Sequence, residues 1–307
     1  MIKIFLADNL SSNPAIDKIY VDLSRSIKEI LGDRKITCNY KGTDILLDTR
    51  EGIKSFLLAN DFYNYNFTIS SGFPGGLIKL QKNKLIKKAF DYKHLTATSR
   101  HKILITMDVP ICPYCNMNFT LSYDTEKKRK TTADLDHFYI KSEYPEYGLC
   151  LYNFVPSCPV CNSKLKGKKS MTRETHIFPH EDSFNGKAKF KIMNLIEVLV
   201  HKKEQLDLKL VNYNNDEKVK QSAEIFKINE LYHFHKGIVS ELLENAIVYN
   251  ESYTNELKSK QYIFEEKLDV KQLVFGANLS ENLYARKSLG KLRMDLLNQL
   301  GVYKKDI

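Results

Sequence analysis

CPYC (112–115), DLDH (134–137), Asn153, CPVCN (158–162) and the lysines Lys164, Lys166, Lys168 and Lys169 make up the stretch whose reading decides the fold. Two Cys-x-x-Cys pairs supply four soft thiolates, Cys112, Cys115, Cys158 and Cys161, a set suited to Zn²⁺. Four sulfurs leave no open coordination position, so the expected ion is structural. It would tie the first knuckle to the start of a short helix and stand in for a core that a loop-rich module lacks. Asp136 and Asn162 are hard oxygen donors, suited to Mg²⁺ or Mn²⁺ with water and phosphate oxygens completing the shell. His137, with an ordinary pKa of about 6.5, can take a proton from an attacking water near neutral pH. Asn153, downstream on an extended piece, is expected to hold the backbone or the ring of His137 in place.

Each of these residues has a plainer reading. An isolated histidine is more often packed than catalytic. Asp134, two residues before Asp136, is a helper ligand or a solvated hairpin residue. His176 and His180 are extra ligands or loop histidines packed on the zinc module. Cys38 and Cys150, outside the knuckles, read as buried free thiols.

The chain has 307 residues, 43% hydrophobic and 27% charged, which is ordinary for a globular protein with a real core. Its net charge of +10 points to a polyanionic partner, most often nucleic acid. Lys141, Lys164, Lys166, Lys168 and Lys169 crowd the motif region and are the expected phosphate contacts. No recognition helix is evident, so little sequence specificity is expected. Residues 1–8 are too short and too soon charged for a signal peptide. No apolar run spans a membrane. Cys-x-x-Cys pairs read as metal sites in a reducing compartment, so the cytoplasm is the expected location.

Residues 1–106 read as mainly helical, with helices over 14–31, 48–60, 77–91 and 99–107, a short strand over 36–40 and a loop over 64–76. Residues 107–185 lose the helical period. They read as two short strands (117–123 and 131–138) around a basic turn, an extended piece (152–156) and a short helix ending at Gly167. Residues 186–307 return to helix, over 190–200, 223–253 and 283–300, with a strand over 206–213.

With these motifs, the stretch 112–169 resembles the HNH family, the ββα-metal nucleases. The resemblance is carried by CPYCN (112–116), DLDHFYIKS (134–142), LYNFVPSCPVCNSKLKG (151–167) and HIFPHEDSF (176–184). It implies an α+β fold, with a small zinc-stapled ββα-metal module over 107–185 embedded between helical N- and C-terminal regions. It also implies that Asp136 and Asn162 bind one divalent ion, that His137 is the general base and that Asn153 orients it. The products would carry 5′-phosphate and 3′-hydroxyl ends. The pattern is similar to bacterial anti-phage effector nucleases of the Septu and retron type, which implies an ABC- or SMC-like ATPase partner or self-association. Ile140 and Phe154 stand where that pattern has Pro and Leu, both scaffold positions. Two rivals stay open: a zinc-stapled adaptor that binds nucleic acid or protein without chemistry, and a nuclease acting on RNA.

Overall fold

Asn13 and Pro14 start the first helix of the computed structural model, α1 (Pro14–Leu31). The Asn13 side chain accepts the Ala15 amide, and Pro14 takes a first-turn position that needs no N–H. Ile16, Ile19, Tyr20, Leu23, Ile27 and Leu31 are buried along one face, and Gly32 ends the helix at a positive φ of 60°. The structure describes residues 1–6, 10–69, 83–126, 128–201, 206–259, 274–275 and 280–302. Helix and small sheets are mixed, as an α+β chain requires.

The described chain groups into two compact units. One gathers Met1–Ile4, Pro110–Asn118 and Glu174–Ile307; the other gathers Phe5–Val109 and Phe119–Arg173. Each is built from separate stretches, whereas the segments 1–106, 107–185 and 186–307 follow changes in sequence character.

In the second of these units, β1 (Ile36–Tyr40) and β2 (Thr43–Leu47) form a hairpin. Its turn residues Lys41 and Gly42 both have positive φ, which matches the twist of paired strands. Helix α2 (Arg50–Leu58) is capped by Thr49. Strand β3 (Tyr65–Ile69) pairs with β1, giving the order β2-β1-β3. Part of the loop expected over 64–76 is this strand instead: Tyr65 and Phe67, aromatics at alternate positions, favour it despite the Asn-rich composition. Residues 70–76, the first part of the helix expected over 77–91, and Lys127 of the basic turn lie outside the described residues.

Helices α3 (Lys84–Ala89) and α4 (Ala97–Met107) follow, capped by the side chains of Asn83 and Thr96. Phe56 and Phe62 anchor an aromatic core with Phe90, Tyr139 and Tyr147. Each such buried ring contributes roughly 1.5–3 kcal/mol. β4 (Ser122–Asp124) and β5 (Arg129–Thr131) make a second hairpin. β6 (Asp134–His137) pairs antiparallel with β7 (Phe154–Ser157), His137 opposite Phe154. After β7 comes the short helix Val160–Lys166, which is a π-helix ending at Gly167, with φ of 52°. The Gly167 amide bonds Asn162 O five residues back, the wide-turn ladder often found at functional sites.

In the other unit, β8 (Ala188–Ile192) pairs with β9 (Leu208–Asn212). The helix expected over 190–200 starts only at Leu195. Ala188, Phe190 and Ile192 face inward between two lysines, a period of two and not of 3.6. The single long helix expected over 223–253 is four: Glu217–Ile225, Ile228–Tyr232, Lys236–Val248 and Glu251–Ser259. Lys227 breaks it in the left-handed region, with φ of 50°. The helix expected over 283–300 is broken likewise at Leu289, with φ of 56°, whose amide bonds Asn116 O. Its two pieces are Glu281–Tyr284 and Gly290–Gln299.

Candidate functional site

The four knuckle cysteines are buried, and their Sγ atoms all lie within 4.8 Å of one another. Around tetrahedral zinc the sulfurs would stand about 3.8 Å apart, so the cluster is close to the size a zinc ion needs. The turns that present the thiols are closed locally. Asn116 N donates to Cys112 O and Asn162 N to Cys158 O, while Cys161 N points at Cys158 Sγ, 3.4 Å away. Asn116 holds a left-handed φ of 52° that asparagine tolerates better than most residues. Cys38 and Cys150 are buried free thiols, as expected, and burial pushes both thiols up, Cys38 to about 11. Among the described residues, the four-cysteine cluster is the group of histidines, cysteines and carboxylates with metal-ligand spacing. His176 bonds Thr175 Oγ1, and His180 packs edge-on against Phe178.

A strand and a helix meet beside Cys158 and Cys161 with matching repeats. Residues two apart on β6 share a face, and residues four apart on the π-helix share another. Asn162 Nδ2 donates to Asp134 Oδ2 at 2.9 Å. Lys166 Nζ donates to both oxygens of Asp136 at 2.8 Å and also to His137 O. Lys166 was expected on a solvated phosphate-binding face and is instead 2% exposed. The π-helix turns it inward, one position ahead of the glycine that ends the helix.

His137 is 8% exposed, with Tyr92 and Phe154 set edge-on to its ring at 4.8 and 5.1 Å. Its Nε2 lies 2.9 Å from Gly148 O. A carbonyl only accepts, so Nε2 carries the proton and Nδ1 keeps the lone pair. Burial pulls the imidazole pKa down to about 4; the Gly148 bond opposes this, and Lys141 and Lys166 add to it. The ring is therefore neutral near pH 7, the state a proton acceptor requires.

Asn153 is fully buried. Its Oδ1 accepts the Tyr139 amide at 2.8 Å, and its Nδ2 donates to Tyr139 O and Tyr147 O at 3.1 and 3.0 Å. Its own carbonyl accepts the Phe138 amide. Asn153 thus clamps the connection between β6 and β7 on both sides, through backbone and not through the ring of His137. Gly148 completes the mount: a Cβ there would lie 2.7 Å from Phe90 O, so the carbonyl that holds His137 is in place because the residue is glycine.

Asp134, Asp136, His137, Asn162 and Lys166 all line one cavity of about 690 Å³, together with Tyr92, Lys141 and Lys168. The oxygen donors fit a hard cation by type. Lys164 and Lys169 are exposed and do not line the cavity, and Lys169 Nζ donates to Leu165 O. Sequence reasoning missed Tyr92 and Gly148. Nothing around Tyr92 marks it, since it joins the site only through folding. Gly148 carried a readable signal, a glycine inside a tight loop.

No family model matches the chain, and no solved structure matches it. Over 110 residues it is 29% identical to protein ea31 of Escherichia phage lambda. That similarity takes in 35% of this chain and 33% of the phage protein, so it spans about a third of the phage protein's length. No helix among the described residues is long and apolar enough to cross a membrane.

Proposed function

We propose that the chain is a metal-dependent endonuclease that hydrolyses phosphodiester bonds of DNA, with His137 as general base. The observation that supports this most is a single cavity lined by a neutral histidine of fixed tautomer, two carboxylates, an amide and two exposed lysines. Cys112, Cys115, Cys158 and Cys161 would hold a structural zinc. Asp136 and Asn162 would hold Mg²⁺ or Mn²⁺, with Asp134 steering the Asn162 amide. When bound, the hard cation supplies stabilisation of negative charge on the phosphate and leaving oxygens.

The protein's own part is proton transfer and positioning. His137 Nδ1 accepts a proton from the water whose oxygen attacks phosphorus. The bond from phosphorus to the 3′-oxygen breaks, and that oxygen takes a proton from solvent, leaving 5′-phosphate and 3′-hydroxyl ends. Gly148 O holds the ring through Nε2, and Asn153 holds the chain on either side of it. Lys141 and Lys168 attract the phosphate backbone. Lys166 orients Asp136.

The bidentate grip of Lys166 on Asp136 is the observation that favours the rival, a zinc-stapled adaptor without chemistry, because it already occupies both carboxylate oxygens. A plasmid and a structured RNA, each incubated with protein and Mg²⁺, Mn²⁺ or chelator, separate the readings. Metal-dependent nicking of the plasmid is expected. Cleavage of RNA alone would move the substrate to RNA, and binding without cleavage under every condition would leave the adaptor. An ATPase partner and a role in anti-phage defence extend this proposal by family resemblance, and co-purification with the product of a neighbouring ATPase gene tests them.

A further inference from the structure

A second cavity, of about 550 Å³, shares Tyr92, Asp134 and Leu135 with the first. It is lined by Arg100 of α4 and by Lys128 and Arg129 of the β4–β5 hairpin. These cations come from elements distant in sequence, so no single charge run accounts for them. The acidic groups facing them are already engaged. Asp134 accepts from Asn162, and Asp124 accepts from His101 at 2.9 Å. Among the described residues, none of the three cations has a carboxylate partner. Arg129 is held in place by its bond to Thr98 Oγ1 at 3.0 Å. Tyr92 forms the shared wall. Lys141, on the side of the first cavity, places its Nζ 5.0 Å from the ring centre, and Arg100, on the other side, places its Cζ 5.2 Å from it. Positive charge thus continues across the ring from one cavity into the next.

We infer that this second cavity is a phosphate subsite of the proposed nuclease, in which Arg100, Lys128 and Arg129 hold the nucleic-acid backbone beside the bond placed in the first. The inference rests on the phosphodiesterase reading of the first cavity. A strand crossing Tyr92 would present successive phosphates to the two lysine- and arginine-lined hollows. Arginine suits the second position because its planar fork meets two phosphate oxygens at once.

Binding of fluorescein-labelled duplex and single-stranded DNA, followed by anisotropy across a salt series, tests this without cleavage. The full chain is used with His137→Ala as background. Adding Arg100→Gln and Arg129→Gln should weaken binding at least tenfold and lower the slope of log affinity against log salt by roughly 1.4–1.8, the share of two phosphate contacts. Arg100→Lys with Arg129→Lys, which keeps the charges, should keep the slope. The exposed pair Lys18→Gln with Lys35→Gln should leave affinity within about twofold. The form of DNA that shows the larger loss identifies the strand the subsite holds. Binding of normal strength and slope in the arginine-to-glutamine variant would overturn the subsite while leaving the first cavity's reading intact. Absence of binding in every variant, the background included, would overturn both.

Discussion

Two buried Lys–Asp pairs look alike and differ in what surrounds them. In the first, Lys166 donates to both oxygens of Asp136 and to His137 O; in the second, Lys291 donates to both oxygens of Asp295 and to Ala188 O. Asp295 also accepts the Phe190 amide, so the second pair fastens the helix Gly290–Gln299 to β8. Burial pushes Asp295 up and Lys291 down, each towards its neutral form, while the partner charge opposes the shift. The other charges acting on that pair are Glu281, Lys189 and the Met1 amino group. The Asp136–Lys166 pair lines a cavity together with His137, Asp134 and Asn162. A buried ion pair therefore says little about function; the groups that share its cavity say more.

The largest expected effect tests the support beneath one of the two pairs. Cys158→Ser should release the zinc and unfold the stretch from β6 to Gly167, seen as lost metal by elemental analysis and lost protease resistance. A soluble, zinc-bound, active Cys158→Ser protein would contradict the structural role. Next, replacing each pair by apolar residues should split them. Lys291→Met with Asp295→Leu should fold and keep cleavage, because well-packed apolar substitutes for a buried ion pair are often neutral. Asp136→Leu with Lys166→Met should also fold but lose cleavage to background. Equal activity in both double variants would erase the distinction.

Breaking either pair singly, by Lys166→Met or Lys291→Met, leaves a buried carboxylate without its cation. Each should cost about 3–5 kcal/mol in denaturant unfolding. The smallest effect concerns Glu146, beside the loop that carries Gly148. It is 6% exposed, its Oε2 has no hydrogen-bond partner, and burial raises its pKa from 4.5 to about 7. With the folded pKa above the unfolded one, the cost is absent below pH 4.5, grows as pH rises towards 7 and is complete above it. Glu146→Gln should therefore raise stability at pH 8 by on the order of 2–3 kcal/mol and change it little at pH 4.5. A pH-independent effect would show that the carboxyl is solvated.

Much of the site's composition was legible because its residues sit in short, fixed spacings. The two Cys-x-x-Cys pairs announced the thiolate cluster, and Asp134, Asp136, His137 and Asn162 do share one cavity. Helix α1 was legible from its apolar period. What stayed hidden depends on contacts far along the chain. Lys166 looked like one lysine of a solvated run, since only the π-helix turns it towards Asp136. Tyr92 reaches His137 by folding alone. The breaks at Lys227 and Leu289 occur at residues with no intrinsic preference for positive φ, so tertiary contacts impose them. Strand β8 is a different failure: its period of two was present in AKFKI (188–192) and was overridden by the helical pattern that follows.

The central claim is that His137 removes a proton in a site where Asp136 and Asn162 hold a hard cation. Single-turnover cleavage of a plasmid in Mg²⁺, by wild type and by His137→Ala matched for zinc content and melting temperature, tests it most directly. A fall in rate on the order of 10²–10⁴ with fold and zinc unchanged is expected. Undiminished cleavage by a folded, zinc-loaded His137→Ala protein would contradict the account.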